Sequence, residues 1–110
     1  MTSDAFLVPD LAALLSTAPT DSIVSRSVFD SDDVKVTLFA FAQGQELTEH
    51  TASRPAILHV LQGEASLALG GKTSRAQPGT WAYMPAHLPH SVRAETPLLL
   101  LLLLLLKGES

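Results

Sequence analysis

Residues Gly44–Gly63 read GQELTEHTASRPAILHVLQG. Gly44 opens a turn, Leu47–Thr51 is a short strand and Ala52-Ser53-Arg54-Pro55 is a loop. Ala56–Leu61 is a second strand, and Gln62-Gly63-Glu64 turns the chain again. Side chains alternate along a strand, so His50 is expected on one face with Thr48 and Ala52, with Glu49 on the other. By the same rule His59 falls on the face away from Ala56 and Leu58.

Working outward, the same grammar repeats. Toward the C-terminus, Ala65–Leu69 and Lys72–Gln77 flank Gly70-Gly71, a two-residue hairpin turn of the kind that needs positive φ. Pro78-Gly79 turns into Thr80–Met84, the loop Pro85–Pro89 leads to His90–Ala94, and Pro97 breaks before Leu98–Leu106. Toward the N-terminus, Ser22–Phe29 and Val34–Ala42 are joined by Asp30-Ser31-Asp32-Asp33. The second of these is apolar on both faces at Phe39-Ala40-Phe41, which marks it as central or covered. The total is about nine or ten strands, the spacing of a sandwich or barrel. Pro9–Leu15 carries Pro and Asp where a helix begins and apolar residues at helical spacing, with Pro19 beyond as a stop, so a short leading helix is expected. The division that follows is an N-terminal arm over 1–21 and one barrel over 22–110.

The nine leucines Leu98–Leu106 cannot cross a membrane as a helix. Nine helical residues rise about 14 Å, and a span takes about 20 apolar residues. Extended, they reach about 30 Å, the length of a long central strand buried on both faces. A barrel interior covers only one row of such a strand. The outward row must be covered by a second subunit, the leading arm or another face, and a homodimer or higher oligomer is the expectation.

Composition narrows the function. Of the 110 residues 46% are hydrophobic and 16% charged, so the chain folds rather than staying disordered. Seven Lys and Arg against eleven Asp and Glu give a net charge of -4, and the basic residues are scattered, so no nucleic-acid partner is expected. The chain has no cysteine, which removes disulfides, thiolate ligands and a thiol nucleophile. Met1-Thr2-Ser3-Asp4 lacks the positive charge of a signal peptide, and the expectation is a cytoplasmic protein with no membrane association.

All four histidines, His50, His59, His87 and His90, lie in the strand-rich part. Two histidines on neighbouring strands are the minimum for a divalent metal site, although stable sites take three or four protein ligands. Imidazole donors suit zinc, nickel, iron or copper. Trp81 and Tyr83 share one face of their strand, with Ala82 and Met84 on the other, and the aromatic pair is a candidate ligand-binding surface. Glu46 and Glu49 are candidate acid or base groups near His50.

Two spaced patterns resemble the motifs of the cupin superfamily, small β-barrels. In the first, Gly44 is followed after five residues by His50, and Gly63 closes the motif at the family's spacing. Ala52 stands at the family's second His position and Ala56 at its Glu position. In the second motif Gly79, Pro85 and His90 match, His87 stands where glycine is common, and Ala94 replaces the usual asparagine. The resemblance runs from about Val34 to Lys107. It implies an all-β, cupin-type barrel (double-stranded β-helix or jelly roll) with a short N-terminal helix or arm. The site it implies contains His50 and His90, with His87 as a candidate third metal donor and a weakly bound divalent metal. Two functions follow from this. One is a module that binds a small organic molecule inside the barrel, with a degenerate metal site. The other is a metal-dependent oxygenase or isomerase acting on a small carbonyl or aromatic compound. A sensor half of a transcription regulator would need a DNA-binding segment that this chain lacks.

Overall fold

The computed structural model describes residues 4–15 and 18–106; residues 1–3, 16–17 and 107–110 of the expected arm and barrel lie outside the described residues. Among the described residues nine strands follow one another: β1 Ile23–Asp30, β2 Val34–Phe41, β3 Glu46–His50, β4 Ala56–Gln62, β5 Ala65–Leu69, β6 Lys72–Ala76, β7 Trp81–Met84, β8 His90–Ala94 and β9 Leu98–Leu105. They form two antiparallel sheets, a five-stranded one in the order β1-β2-β9-β4-β7 and a four-stranded one in the order β3-β8-β5-β6. The all-β expectation holds, and the turns fall where glycine and proline punctuate the sequence. Gly44, Gly63, Gly70, Gly71 and Gly79 all adopt positive φ.

The leucine run is the centre of the larger sheet, with β2 on one side and β4 on the other. Leucine has no strong preference for strands, so two flanking partners and burial on both faces impose the conformation. Leu98, Leu100, Leu102 and Leu104 point between the sheets, where they pack with Phe41, Leu58, Leu67, Met84 and Val92. Leu99, Leu101 and Leu103 point outward and join Leu38, Ala40 and Val24 in a second cluster.

The leading arm covers part of that outer row. Leu11, Ala12, Leu14 and Leu15 pack on the second cluster, and Arg26 Nη1 donates a 3.0 Å hydrogen bond to the Leu14 carbonyl. The helix expected over Pro9–Leu15 is a single 3-10 turn at Leu11–Leu14, capped by Asp10, whose carboxylate accepts from the Ala12 amide. So short a segment has too little helical stability of its own, and contact with the sheet dictates its path.

Candidate functional site

The two histidines carried by the motifs meet. His50 ends β3 and His90 begins β8, and they are partners across the strand pair. Their ring centroids are 4.2 Å apart and the ring planes are inclined at 59°. His50 is exposed and His90 half-buried, so the pair sits at the mouth between the sheets.

Each ring is fixed by the backbone two residues earlier. His50 Nδ1 lies 2.8 Å from the Thr48 carbonyl and His90 Nδ1 2.8 Å from the Leu88 carbonyl. A carbonyl only accepts, so each Nδ1 carries the hydrogen and the neutral ring keeps a bare lone pair on Nε2. The carbonyl that orients His90 is held in turn. Within the loop before β8, the Leu88 amide donates to the Pro85 carbonyl, while the Gly70 amide donates to the Pro89 carbonyl. The His87 amide donates at 2.7 Å to Ala52, which joins the loops of the two motifs.

Behind the histidines lies a cavity of about 30 Å³ whose walls include Phe39, Leu47, Leu58, Met84, Val92 and Leu102. Space of that size takes about one or two water-sized groups. The inward leucines fill most of the space between the sheets and leave this cavity small.

A shift in strand phase brings Leu47 to the same cavity as His50. Along β3, Leu47 pairs with Val92 and His50 with His90, so three steps on one strand oppose two on the other. The extra residue is a β-bulge. It cancels the simple alternation that put His50 on a face with Thr48; Thr48 is exposed and Leu47 lines the cavity.

The remaining candidates lie elsewhere. Trp81 and Tyr83 are 59% and 51% exposed on the outer face of β7, opposite His59 and Ile57 of β4. From β7 it is Met84 that reaches the cavity. The alternation was correct, but which face turned inward was fixed only by the pairing with β4. His87 is exposed in its loop with a φ of 69°, and no group of three or more His, Cys, Asp or Glu placed to hold a metal occurs among the described residues. Glu46 lies 3.8 Å from Arg93 in an exposed ion pair, and Glu49 is exposed. With Ala52 and Ala56 giving no donor, two imidazoles fall short of the three or four protein ligands of a stable site. The residues present do not complete a resident metal centre.

The comparisons with known proteins bear on the fold that carries this site. No curated protein matches the chain. A conserved protein of unknown function from Streptococcus pyogenes is 28% identical, with a TM-score of 0.83 over 98% of this chain and 93% of that one. The structure named KdgF from Halomonas sp. is 23% identical, with a TM-score of 0.80 over 97% of each chain. Salicylate 1,2-dioxygenase from Pseudoaminobacter salicylatoxidans, solved with gentisate, is 14% identical, with a TM-score of 0.72 over 84% of this chain and 27% of that one. At such identities the last two share the fold alone. The model for the cupin domain matches residues 37–104, the span that holds both glycine-punctuated motifs and both facing histidines, and the chain belongs to the cupin family.

Proposed function

We propose that this cupin binds a small organic molecule at the barrel mouth, gripping one polar group between His50 and His90, and carries out no metal chemistry of its own. The observation that supports this reading is the pair itself: two facing imidazoles with Nδ1 tied to backbone carbonyls, which leaves Nε2 of each outside those bonds, both lining one apolar cavity. The neutral pair offers two acceptors, which suits a hydroxyl that donates to one of them. A carboxylic acid fits as well, because it can pass its proton to an Nε2 and remain as a carboxylate beside the imidazolium. The cavity admits that polar group and little more, so the body of the ligand rests at the mouth.

The competing reading is a metal-dependent oxygenase or isomerase, and the bare Nε2 atoms are what favour it. Ligand-observed NMR against a set of small alcohols, phenols and carboxylic acids tests the two together with metal analysis of protein purified without an affinity tag. The proposal expects binding by the metal-free wild type and loss of binding in His50→Ala and His90→Ala. Stoichiometric zinc, iron, nickel or copper in the purified protein, with ligand binding only when the metal is present, contradicts it.

A further inference from the structure

The carbonyl that orients His90 belongs to a peptide unit without a donor of its own. Leu88 is joined to the nitrogen of Pro89, which carries no hydrogen, so no N–H on that unit can be bonded to set its tilt. The hydrogen bonds nearby hold the units on either side. The Leu88 amide donates to the Pro85 carbonyl at 3.2 Å, and the Pro89 carbonyl accepts from the Gly70 amide at 2.8 Å. Pro89 steers Leu88 away from helical backbone, which narrows its ψ without choosing one value.

What remains is the Leu88 side chain. It is half-buried, packs against the core between the sheets and lies over Gly70, in the turn between β5 and β6. A Cβ on Gly70 would come within 3.0 Å of Leu88 Cδ1, whereas one on Gly71 would meet nothing within 4 Å. Both glycines have positive φ, 59° and 83°, so the turn needs left-handed backbone twice but has a close neighbour only at Gly70. Leu69, just before it, pairs with His90 across β5 and β8, which sets the turn beside the histidine.

We propose that Leu88 is a positioning residue for His90, lodged against Gly70 so that its carbonyl stands where the His90 Nδ1–H donates to it. His50 is fixed by other means. Its carbonyl comes from Thr48, an exposed residue of β3, which is an edge strand and is bulged at that point. One ring is therefore held from the core and the other from the rim. This rests on the reading that bare Nε2 atoms grip the ligand: Leu88, without touching that ligand, decides whether His90 has a lone pair to offer.

Nitrogen-15 NMR of the histidine rings in the full-length, ligand-free protein tests it. Leu88→Ala should lower the ratio of the Nδ1–H to the Nε2–H form at His90 by roughly three- to tenfold, the equilibrium worth of one hydrogen bond, while His50 keeps its wild-type ratio. Gly70→Ala, which presses a methyl group on Leu88, should move His90 in the same direction. Gly71→Ala, which shares the left-handed backbone without the contact, should leave it alone. Leu88→Met refills the space with an unbranched chain of similar volume and should return the ratio to within about twofold of wild type.

General loosening of the fold would act on both rings and in both glycine variants, so an equal change at His50, or in Gly71→Ala, overturns the proposal. A His90 ratio that stays at the wild-type value in Leu88→Ala or in Gly70→Ala does so too. If Leu88→Ala does not fold, the two glycine variants decide. Because no ligand is present, failure of small alcohols, phenols and carboxylic acids to bind defeats the proposed function and leaves this result standing.

Discussion

Gly63 and Gly71 hold nearly the same backbone angle, with φ of 85° and 83°, in different surroundings. A Cβ on Gly71 would meet nothing within 4 Å, whereas one on Gly63 would lie 2.0 Å from the Pro97 carbonyl oxygen, ahead of the leucine strand. Gly71→Ala therefore carries only the left-handed backbone cost of about 1–2 kcal/mol. Gly63→Ala adds the displacement of Pro97, and its urea midpoint should fall well below that of Gly71→Ala; equal midpoints would mean that the close approach carries no energy. His87 also sits in the left-handed region, at the position where the motif commonly has glycine. His87→Gly should be neutral or stabilising by up to about 1 kcal/mol, the relief of strain being offset by the greater freedom of the unfolded chain. Because the His87 side chain does not join the facing pair, ligand binding should be unchanged in that variant.

Among the elements, β9 shows how position outweighs residue type. Leu100 is 2% exposed between the sheets and Leu105 is half-buried at the end of the outward row. Leu100→Ala should cost about 3–5 kcal/mol by denaturant unfolding, and Leu105→Ala less than about 1.5 kcal/mol. Similar costs would show that the inner row is not the core. The sequence made this strand readable because Pro97 precedes it and a nine-residue apolar run is too short to span a membrane as a helix. The other strands were readable through their glycine and proline turns, with ends that differ from those observed by a residue or so. Three features were not legible. The bulge in β3 leaves no mark in Leu47-Thr48-Glu49-His50, since it arises from pairing with β8. The direction of Trp81 and Tyr83 depends on a neighbouring strand. The arm has helical spacing but too few residues to form a helix. The two vacant ligand positions were legible as Ala52 and Ala56, one in the loop after β3 and the other buried at the start of β4. Ala52→His with Ala56→Glu should tighten zinc binding on the order of tenfold or more, each tenfold being about 1.4 kcal/mol in calorimetry. Equal affinity in wild type and double variant would place the zinc away from His50 and His90.

For the whole molecule, two sheets of unlike character account for where the candidate site lies. The four-stranded sheet faces outward with ion pairs and brings His50 and His90 together at its end, while the five-stranded sheet supplies most of the apolar wall behind them and, on β4, β7 and β9, carries no charged residue. Leucines fill the space between the sheets and confine the polar chemistry to the mouth. In the proposed reading, ligand binding depends on the two rings holding the tautomer that leaves Nε2 bare. Nitrogen-15 NMR of histidine-labelled protein reads this directly. At a pH where the rings are neutral, His50 and His90 should both be protonated at Nδ1 and unprotonated at Nε2, and an added ligand should move those two Nε2 signals while leaving His59 and His87 in place. Rings protonated at Nε2, or a bound ligand that leaves both Nε2 signals unmoved, would contradict the account.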